Sequence, residues 1–463
     1  MSKFDLGYNQ TDGVCPNESD NTFESNASDI QTIVFDVLPE EDKPLLCGDN
    51  ILQSSFYVKE YLTPILCSQP VGIAVDKDNN IWIASGKSGT LMQFNPSTEK
   101  FVKNIRIPNW PEQNRNIGSM IWDMKFDKKG DLWFTDEISN SIWKYFTNEG
   151  RFENYRLLGE GGYPLSLTFD SEGNVWYTQV FGKRLGFLEP DKVMTNTTEG
   201  ISELDISGQI NFQTMGPVSN GFGVKDSLIN NNASNVNQSL WFSTAVFPVG
   251  GQIVKYDIDA QSLTIHDVNH TQSVPFSISE DENGLLWANS HIANLFLSLN
   301  PQTGEIKQYA TSNPSTSGNL ITLPYYNIFR EGKIWFNEHY GNAIASFDPK
   351  DNILVEYYIP THNPLWANSS NPLRFVFDNN GSIWFTEWTQ NKLGVLSSDK
   401  LNQLPITLEV SKNNVTLDST NLKGDDLDIY IYTNPINSNK TANFTNNESG
   451  LDATKALSMD LTS

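Results

Sequence analysis

The chain has 463 residues, a formal net charge of −24, and 12 Trp, 16 Tyr and 26 Phe. This charge argues against a basic surface for nucleic acid or an anionic membrane. No apolar run has the length of a transmembrane helix, and none near residue 1 has the form of a signal peptide. The aromatic content is large enough to fill wide gaps between sheets.

The N-terminal residues 1–54 are polar, and we expect them to form a partly disordered arm. Residues 30–38 within the arm have the pattern of a strand. Residues 55–62 resemble the outer strands of later repeats. We predict that they complete the last sheet of a ring, because an open ring would leave unpaired strand edges.

A repeated unit organises residues 55–404. Each unit has an apolar strand, an Asp-x-x-Gly turn in most copies, and a second strand that carries a Trp. The seven Trp residues lie 51, 43, 65, 46, 48 and 49 residues apart, at Trp82, Trp133, Trp176, Trp241, Trp287, Trp335 and Trp384. Strand-rich repeats of roughly 40–50 residues are typical of propeller blades. The sequence therefore predicts an all-β, seven-bladed β-propeller closed by an N-terminal strand.

Two local features favour structural roles. The Asp-x-x-Gly segments suit short hairpin turns better than calcium loops, since no set of acidic ligands follows them. The Trp residues suit the packing between blades better than sugar binding.

The fourth repeat is irregular, with an insertion over residues 226–238. Residues 405–463 alternate in two short stretches, which predicts a β-rich tail, a partial immunoglobulin-like module or a linker.

The Asn-x-Ser/Thr sequons indicate an exported glycoprotein whose leader or anchor lies outside this chain. We expect glycans at the sequons of Asn196, Asn232, Asn237, Asn269, Asn368 and Asn414. Cys15, Cys47 and Cys67 allow at most one internal disulfide, and their spacing does not suit a metal. The expected location is extracellular or at the cell surface.

A polar ring is predicted where the second strands end. The residue three places after each repeat Trp should lie near the central channel, at Ser85, Asp136, Gln179, Thr244, Ser290, Glu338 and Glu387. Asp136, Glu338 and Glu387 could together hold Mg²⁺ or Ca²⁺. Arg374 is placed to reach the two glutamates, and solvated side chains with Arg374 neutralising a glutamate are the alternative. A site without any cofactor also stays open.

The next positions along the second strands supply His291, His339 and Trp388. A histidine there could serve as a base near neutral pH. We further expect Arg374, Trp388, Tyr340 and Gln179 to contact a ligand.

The repeat Pro-x-x-Ile-x-Phe-Asp-x-x-Gly-x-Ile-Trp-Phe-Thr-Glu and the later Asn391-Lys-Leu-Gly resemble the virginiamycin B (streptogramin B) lyase family of seven-bladed propellers. The resemblance covers roughly residues 56–400, and gluconolactonase-like and NHL-like propellers share much of the pattern. It implies magnesium-dependent opening of a cyclic depsipeptide by elimination. It also implies a Glu-x-His pair at the start of an inner strand and a second Glu at the end of the next strand.

This chain matches the second Glu at Glu387 but has Asn371 and Leu373 at the Glu-x-His positions. A lyase would therefore need His339 or His291 as its base. Our leading hypothesis is a binding module that presents its channel face to a small molecule, a glycan or a surface protein. The alternatives are a divergent metal-dependent lyase or lactonase-type hydrolase, and a structural subunit of a surface assembly.

Overall fold

The computed structural model describes residues 47–110, 120–193, 197–206, 224–226, 238–246, 250–268, 274–291, 294–311, 322–401, 407–410, 414–418, 429–433 and 458–460. Strands dominate these residues, and the helix α1 (Ser398–Leu401) has a single turn. No helix among them is long and apolar enough to cross a membrane. The expected N-terminal strand over residues 30–38 lies outside the described residues.

Seven antiparallel sheets in the described residues form the blades of a propeller, numbered here in chain order. Blade 1 contains β2 (Pro70–Val75), β3 (Ile81–Ser85), β4 (Thr90–Asn95) and β5 (Lys100–Arg106). Blade 2 contains β6 (Met124–Phe126), β7 (Leu132–Asp136), β8 (Ser141–Phe146) and β9 (Arg151–Arg156). Blade 3 contains β10 (Pro164–Phe169), β11 (Val175–Gln179), β12 (Arg184–Leu188) and β13 (Ile201–Asp205). Blade 4 contains β14 (Val224–Asp226), β15 (Gln238–Val246), β16 (Gly250–Asp257) and β17 (Ser262–Val268). Blade 5 contains β18 (Pro275–Glu280), β19 (Leu286–Ser290), β20 (Leu295–Leu299) and β21 (Ile306–Ala310).

The last two blades each include a strand from outside their own repeat. Blade 6 contains β22 (Pro324–Arg330), β23 (Lys333–Glu338), β24 (Ala343–Asp348), β25 (Ile353–Tyr358) and the later β31 (Ile429–Thr433). Blade 7 contains β26 (Pro372–Phe377), β27 (Ile383–Glu387), β28 (Lys392–Leu396) and, at its outer edge, β1 (Val58–Leu62). A separate three-stranded sheet is formed by β29 (Thr407–Val410), β30 (Asn414–Asp418) and β32 (Ser458–Asp460).

The repeat Trp residues pack each blade against the next one. Trp82 of blade 1 lies in a buried cluster with Phe134 of blade 2. The same relation holds around the ring for Trp133 with Tyr177, Trp176 with Phe242, Trp241 with Ala288, Trp287 with Phe336 and Trp335 with Phe375. Trp384 of blade 7 packs against Ile83 of blade 1, which closes the circle. The prediction that these residues form the core between blades is confirmed.

The Asp-x-x-Gly turns fix those Trp residues. In blade 7, one oxygen of Asp378 accepts hydrogen bonds from the backbone N–H groups of Asn380 (2.8 Å) and Ser382 (2.9 Å). The other oxygen accepts one from the indole of Trp384 at 3.0 Å. Gly381 has φ of 82°, which only glycine adopts readily. The same Asp–Trp contact, between 2.8 and 3.2 Å, recurs in four other blades, at Trp82, Trp133, Trp176 and Trp287.

The N-terminal strand closes the ring, as the sequence predicted. β1 pairs with β28 over five residues, from Val58 opposite Leu396 to Leu62 opposite Lys392. A buried ion pair joins them, because Lys392 Nζ lies 3.0 Å from Glu60 Oε2 and both side chains are fully buried. Cys47 and Cys67, which flank β1, form the one internal disulfide that the cysteine count allows.

All blades present the same strand ends on the same face. In five blades, the first residue of the inner strand, a proline, lies opposite the last residue of the second strand, as in Pro372 opposite Glu387. We call this the mouth face of the channel. The opposite face, where the inner strands end in the Asp-x-x-Gly turns, is called the turn face.

Candidate functional site at the channel mouth

An apolar cluster, called here the plug, lies in the channel at the mouth face. It contains the second residue of the inner strand in blades 1, 6 and 7, namely Val71, Tyr325 and Leu373, which are 1–3% exposed and cluster together. Trp122 of blade 2 and Phe276 of blade 5 pack against this cluster. Since side chains from five blades meet here, the mouth is an aromatic surface rather than an open acidic funnel.

The predicted acidic residues are buried within separate blades. Asp136 accepts hydrogen bonds from Trp143 Nε1 at 3.0 Å and from the backbone N–H of Ser139 at 3.2 Å, both in blade 2. Burial, and then the adjacent Glu356 carboxyl of the same blade, raise the pKa of Glu338 well above its usual value.

Glu387 is also buried, in blade 7. Burial first, and then the neighbouring Glu60, raise its pKa well above the usual value, while Lys392 partly offsets them. The cation beside Glu387 is thus Lys392, and not Arg374 as predicted from the sequence.

Gln179 and Thr244, two further residues of the predicted ring, also form hydrogen bonds within their own blades. Gln179 Nε2 donates to Glu203 Oε1 on the outer strand of its own blade at 3.1 Å. Thr244 donates to Gln252 Oε1 at 3.3 Å on the neighbouring strand. Gln179 Nε2 also donates to Asn140 Oδ1 of blade 2 at 3.4 Å. These side chains lie on the sheet face opposite that of the Trp, because residues three places apart in a strand point to opposite faces. Residues two places after the Trp reach the next blade, as when Thr386 Oγ1 donates to the carbonyl of Val71 at 3.0 Å.

Arg374 lies inside the channel rather than beside the glutamates. Its Nη1 is 3.8 Å from Asp123 Oδ1 of blade 2, and its guanidinium carbon lies 4.6 Å from the ring centroid of Tyr326. The side chain is 3% exposed. Its charge therefore belongs to the channel interior.

The two histidines that were predicted at equivalent repeat positions form a stacked pair. The ring centroids of His291 and His339 are 5.6 Å apart and the rings are nearly parallel. Burial lowers the pKa of His291 to about 4 and that of His339 well below its usual value, with His291 lowering the latter further. Both imidazoles are consequently neutral at physiological pH, the form that can accept a proton.

Trp388 and Tyr340 line the same face. The Trp388 ring contacts Trp366 edge-on, with centroids 4.7 Å apart, and it packs against the plug. Tyr340 contacts His339 at 4.9 Å. The structure thus brings Trp388, Tyr340, His291 and His339 to the mouth, whereas Gln179 turns into its own blade.

Glu137 is a mouth residue that the sequence argument missed. It occupies the same repeat position as His291, His339 and Trp388, so aligning the repeats would have found it. Its carboxylate accepts hydrogen bonds from the indole of Trp122 and from the backbone N–H of Met120. Burial raises its pKa to about 7, although hydrogen bonds from Tyr163 and Trp122 oppose this shift.

The Glu-x-His positions do not fit the magnesium ion that the family resemblance implies. Leu373 has no ligand atom and is buried in the plug. Asn371 offers one neutral amide oxygen, which is a weaker ligand for Mg²⁺ than a carboxylate. Its Nδ2 donates to the carbonyl of Ser369 at 3.3 Å and to Thr389 Oγ1 at 3.4 Å. Across the described ranges, no group of three or more His, Cys, Asp and Glu could hold a metal ion. A metal at Asp136, Glu338 and Glu387 stays a prediction.

The expected glycosylation sites fall mostly beyond the described residues. Asn196, Asn232, Asn237 and Asn269 lie outside them, and Asn414 begins β30. Asn368 is partly buried between β25 and β26, in a left-handed conformation with φ of 55°. Glycosylation stays a prediction.

Several solved structures share this architecture. A virginiamycin B lyase from Staphylococcus aureus is 21% identical over 73% of this chain and 98% of its own, with a TM-score of 0.56. A catalytically inactive histidine-to-alanine form of that enzyme with quinupristin is 22% identical over the same shares, with a TM-score of 0.55. The extracellular domain of a hybrid two-component system from B. thetaiotaomicron is 12% identical over 84% of this chain and 49% of its own, with a TM-score of 0.51. These likenesses show the fold.

The family model gives a more specific result. No curated protein matches the chain. The model of the virginiamycin B lyase family matches residues 56–364, which is more than half of the sequence. The chain therefore belongs to the virginiamycin B lyase family.

Proposed function

We propose that this chain is an exported binding propeller that keeps the architecture of its family without the lyase reaction. The observation that carries the proposal is the environment of Leu373. The resemblance implies a proton-abstracting histidine at this position, and a leucine packed against Val71 and Tyr325 has no group that can abstract a proton. The first Glu of the pair is likewise replaced by Asn371, whose amide carries no charge.

The mouth surface supports a binding role. It combines the rings of Trp122, Phe276, Tyr340 and Trp388 with few ionised groups, because both histidines are neutral. Phe181, which contacts Tyr163 on the same side, is 45% exposed. Partly exposed aromatic rings on one face suit a ligand with apolar or planar faces, such as a glycan or a cyclic peptide.

The extracellular location has two supports. The sequons are numerous, and the disulfide between Cys47 and Cys67 is typical of proteins in oxidising compartments. At the cell surface the mouth would meet a small molecule, a glycan or another protein.

The direct test of the missing reaction is incubation of the purified chain with Mg²⁺ and a streptogramin B, followed by chromatography. The proposal expects an intact ring, and a ring-opened product would overturn it. The binding part is tested by screening neutral oligosaccharides with the wild type, Trp388→Ala and a control, Val102→Ala, on the outer strand of blade 1. Loss of binding in Trp388→Ala alone supports the mouth as the site, and equal binding by all three rejects it.

A divergent lyase or lactonase-type hydrolase is the second candidate. The observation that favours it is the neutral His291–His339 pair at the mouth, together with Glu137, whose pKa is raised to about 7, at the same repeat position of blade 2. One imidazole would abstract the proton. Mg²⁺ or Ca²⁺ at Asp136, Glu338 and Glu387 is not part of this candidate, because these carboxyls are buried in separate blades. Activity that disappears in His339→Phe but survives in Glu338→Ala/Glu387→Ala would support this candidate, whereas activity unchanged in His339→Phe would exclude it.

A further inference from the structure

A second cavity lies in the channel toward the turn face. Its volume is about 480 Å³, within the range of small-molecule sites. Inner-strand residues of blades 1, 2, 3, 6 and 7 line it, including strand-end residues such as Val75, Phe126 and Phe377. Trp122 and Tyr326 line the cavity and also pack in the plug, so the plug is its inner end. We call this space the basic cavity.

The charges of the basic cavity are opposite to those of the chain as a whole. Its lining contains Lys125, Arg330 and Arg374 and a single carboxylate, Asp123, which leaves a formal excess of two positive charges. The whole chain has a net charge of −24. A confined positive region in an acidic protein attracts anions selectively, because low-dielectric walls concentrate its field.

Asp123 does not neutralise this excess. Burial opposes its ionisation, but Lys125 and Arg374 outweigh burial and lower its pKa. Its Oδ2 accepts hydrogen bonds from Ser166 Oγ at 3.1 Å and from the backbone N–H of Leu167 at 3.0 Å, and it lies 3.4 Å from Lys125 Nζ. Lys125 Nζ in turn donates to the carbonyl of Leu167 at 2.5 Å. The other oxygen of Asp123 is 3.8 Å from Arg374, longer than a direct hydrogen bond. The carboxylate thus orients Lys125 and Arg374 and sets one negative charge against their two positive charges, so these three residues keep a formal excess of one.

The walls determine what kind of anion fits. Apart from the charged residues, the lining is apolar and rich in rings, with Phe126, Phe169, Phe329 and Phe377 near the turn face. Arg330 stacks on Phe377 at 4.6 Å and also contacts the exposed Glu331 at 3.2 Å, which places it at the rim. A strongly hydrated inorganic anion would leave these walls unused.

We propose that the basic cavity binds an amphiphilic anion, a small molecule with an aromatic or aliphatic body and one carboxylate or sulfonate group. The anionic group lies among Lys125, Arg374 and Arg330, and the body lies against the phenylalanine rings. This site is separate from the mouth, and it does not depend on the proposed function.

The test uses two fluorescent probes of the same shape. 8-Anilinonaphthalene-1-sulfonate carries a sulfonate, and N-phenyl-1-naphthylamine is its uncharged counterpart. Each is titrated into the full chain and into Lys125→Met, Arg374→Met, Lys100→Met and Trp388→Ala. Arg374→Met removes a buried cation and could prevent folding. Lys125 is 28% exposed, so Lys125→Met should fold and keeps the test valid in that case. Circular dichroism and thermal midpoints identify the folded variants.

The proposal expects the sulfonate probe to bind about tenfold more tightly than the neutral one, as one charge-assisted contact would give. Lys125→Met should lose about this factor, while the exposed-lysine control Lys100→Met and the mouth variant Trp388→Ala stay within about twofold. Equal affinity for both probes, no binding of the sulfonate, or a loss in Trp388→Ala without one in Lys125→Met would each overturn the proposal.

Discussion

The buried ion pair that closes the ring allows a quantitative test. Lys392 donates to Glu60 Oε2 at 3.0 Å, to Thr361 Oγ1 at 2.7 Å and to the carbonyl of Ile51. Lys392→Met removes the positive charge and leaves the fully buried Glu60 carboxyl without its cation. Breaking one partner of a buried pair costs roughly 3–5 kcal/mol.

The surroundings of Glu60 place the expected cost near the lower end of that range. After the substitution, Glu60 still accepts hydrogen bonds from Thr361 Oγ1 at 2.6 Å and from the backbone N–H groups of Gln53 and Thr361 at 3.1 and 3.2 Å. We therefore expect Lys392→Met to lower the free energy of unfolding by about 3 kcal/mol. The double variant Glu60→Gln/Lys392→Met should recover most of this loss, because it leaves no unpaired charge.

The neighbouring strand residue Lys59 provides a matched control. It pairs with Glu99 at 2.6 Å, but both side chains are about half exposed. Lys59→Met should therefore cost about 0–1 kcal/mol. Urea unfolding followed by fluorescence measures all three variants. A cost for Lys392→Met that matches Lys59→Met, or a double variant as unstable as Lys392→Met, would refute the buried closure of the ring.

Three further predictions concern the mouth and the blades. Glu137→Gln should change the pH dependence of stability, because the pKa of Glu137 in the folded protein is raised to about 7. The protonated carboxyl contributes its full stability below its usual pKa, and this contribution is lost as the pH rises through about 7. Stability relative to Glu137→Gln should fall by about 3 kcal/mol between pH 4 and 8 in urea titrations, and parallel curves would refute the shift. Asp378→Ala removes the acceptor of three hydrogen bonds, including that of Trp384, and should cost about 2–4 kcal/mol; a change below about 0.5 kcal/mol would mean that the turn does not fix the Trp. Leu373→His should lower the free energy of unfolding by about 2–4 kcal/mol, because it places a polar ring in the plug. Leu373→Met should lower it by under about 1.5 kcal/mol. Equal losses for the two variants in calorimetry would argue against an apolar plug.

The ring could be predicted from sequence because its determinants are local. An Asp six residues before a Trp specifies both the turn and the orientation of the indole, and the pattern recurs often enough to count blades. As predicted, Trp82, Trp133, Trp176 and Trp287 all lie in the second strands of their blades. The closing strand was predicted from its likeness to other outer strands, although it begins at Val58 rather than at residue 55.

The site could not be predicted as well, because it depends on which way side chains face between blades. The last residue of each second strand was placed near the axis from its position along the chain, but the two-residue alternation of a strand turns Glu338 toward Glu356. The same alternation places Thr386 and Glu387 on opposite faces of their strand. It would have predicted that Thr386, on the face of the Trp, contacts the next blade and that Glu387 does not. The position of Arg374 depends on Asp123 of a distant repeat, and no local pattern encodes that contact.

The most direct test of the account is the reaction of a streptogramin B with the purified chain and Mg²⁺, followed by chromatography of the antibiotic. With Leu373 in place of the implied base, we predict that the depsipeptide ring remains closed at every enzyme concentration. Accumulation of the linear product in proportion to the amount of protein would contradict this account.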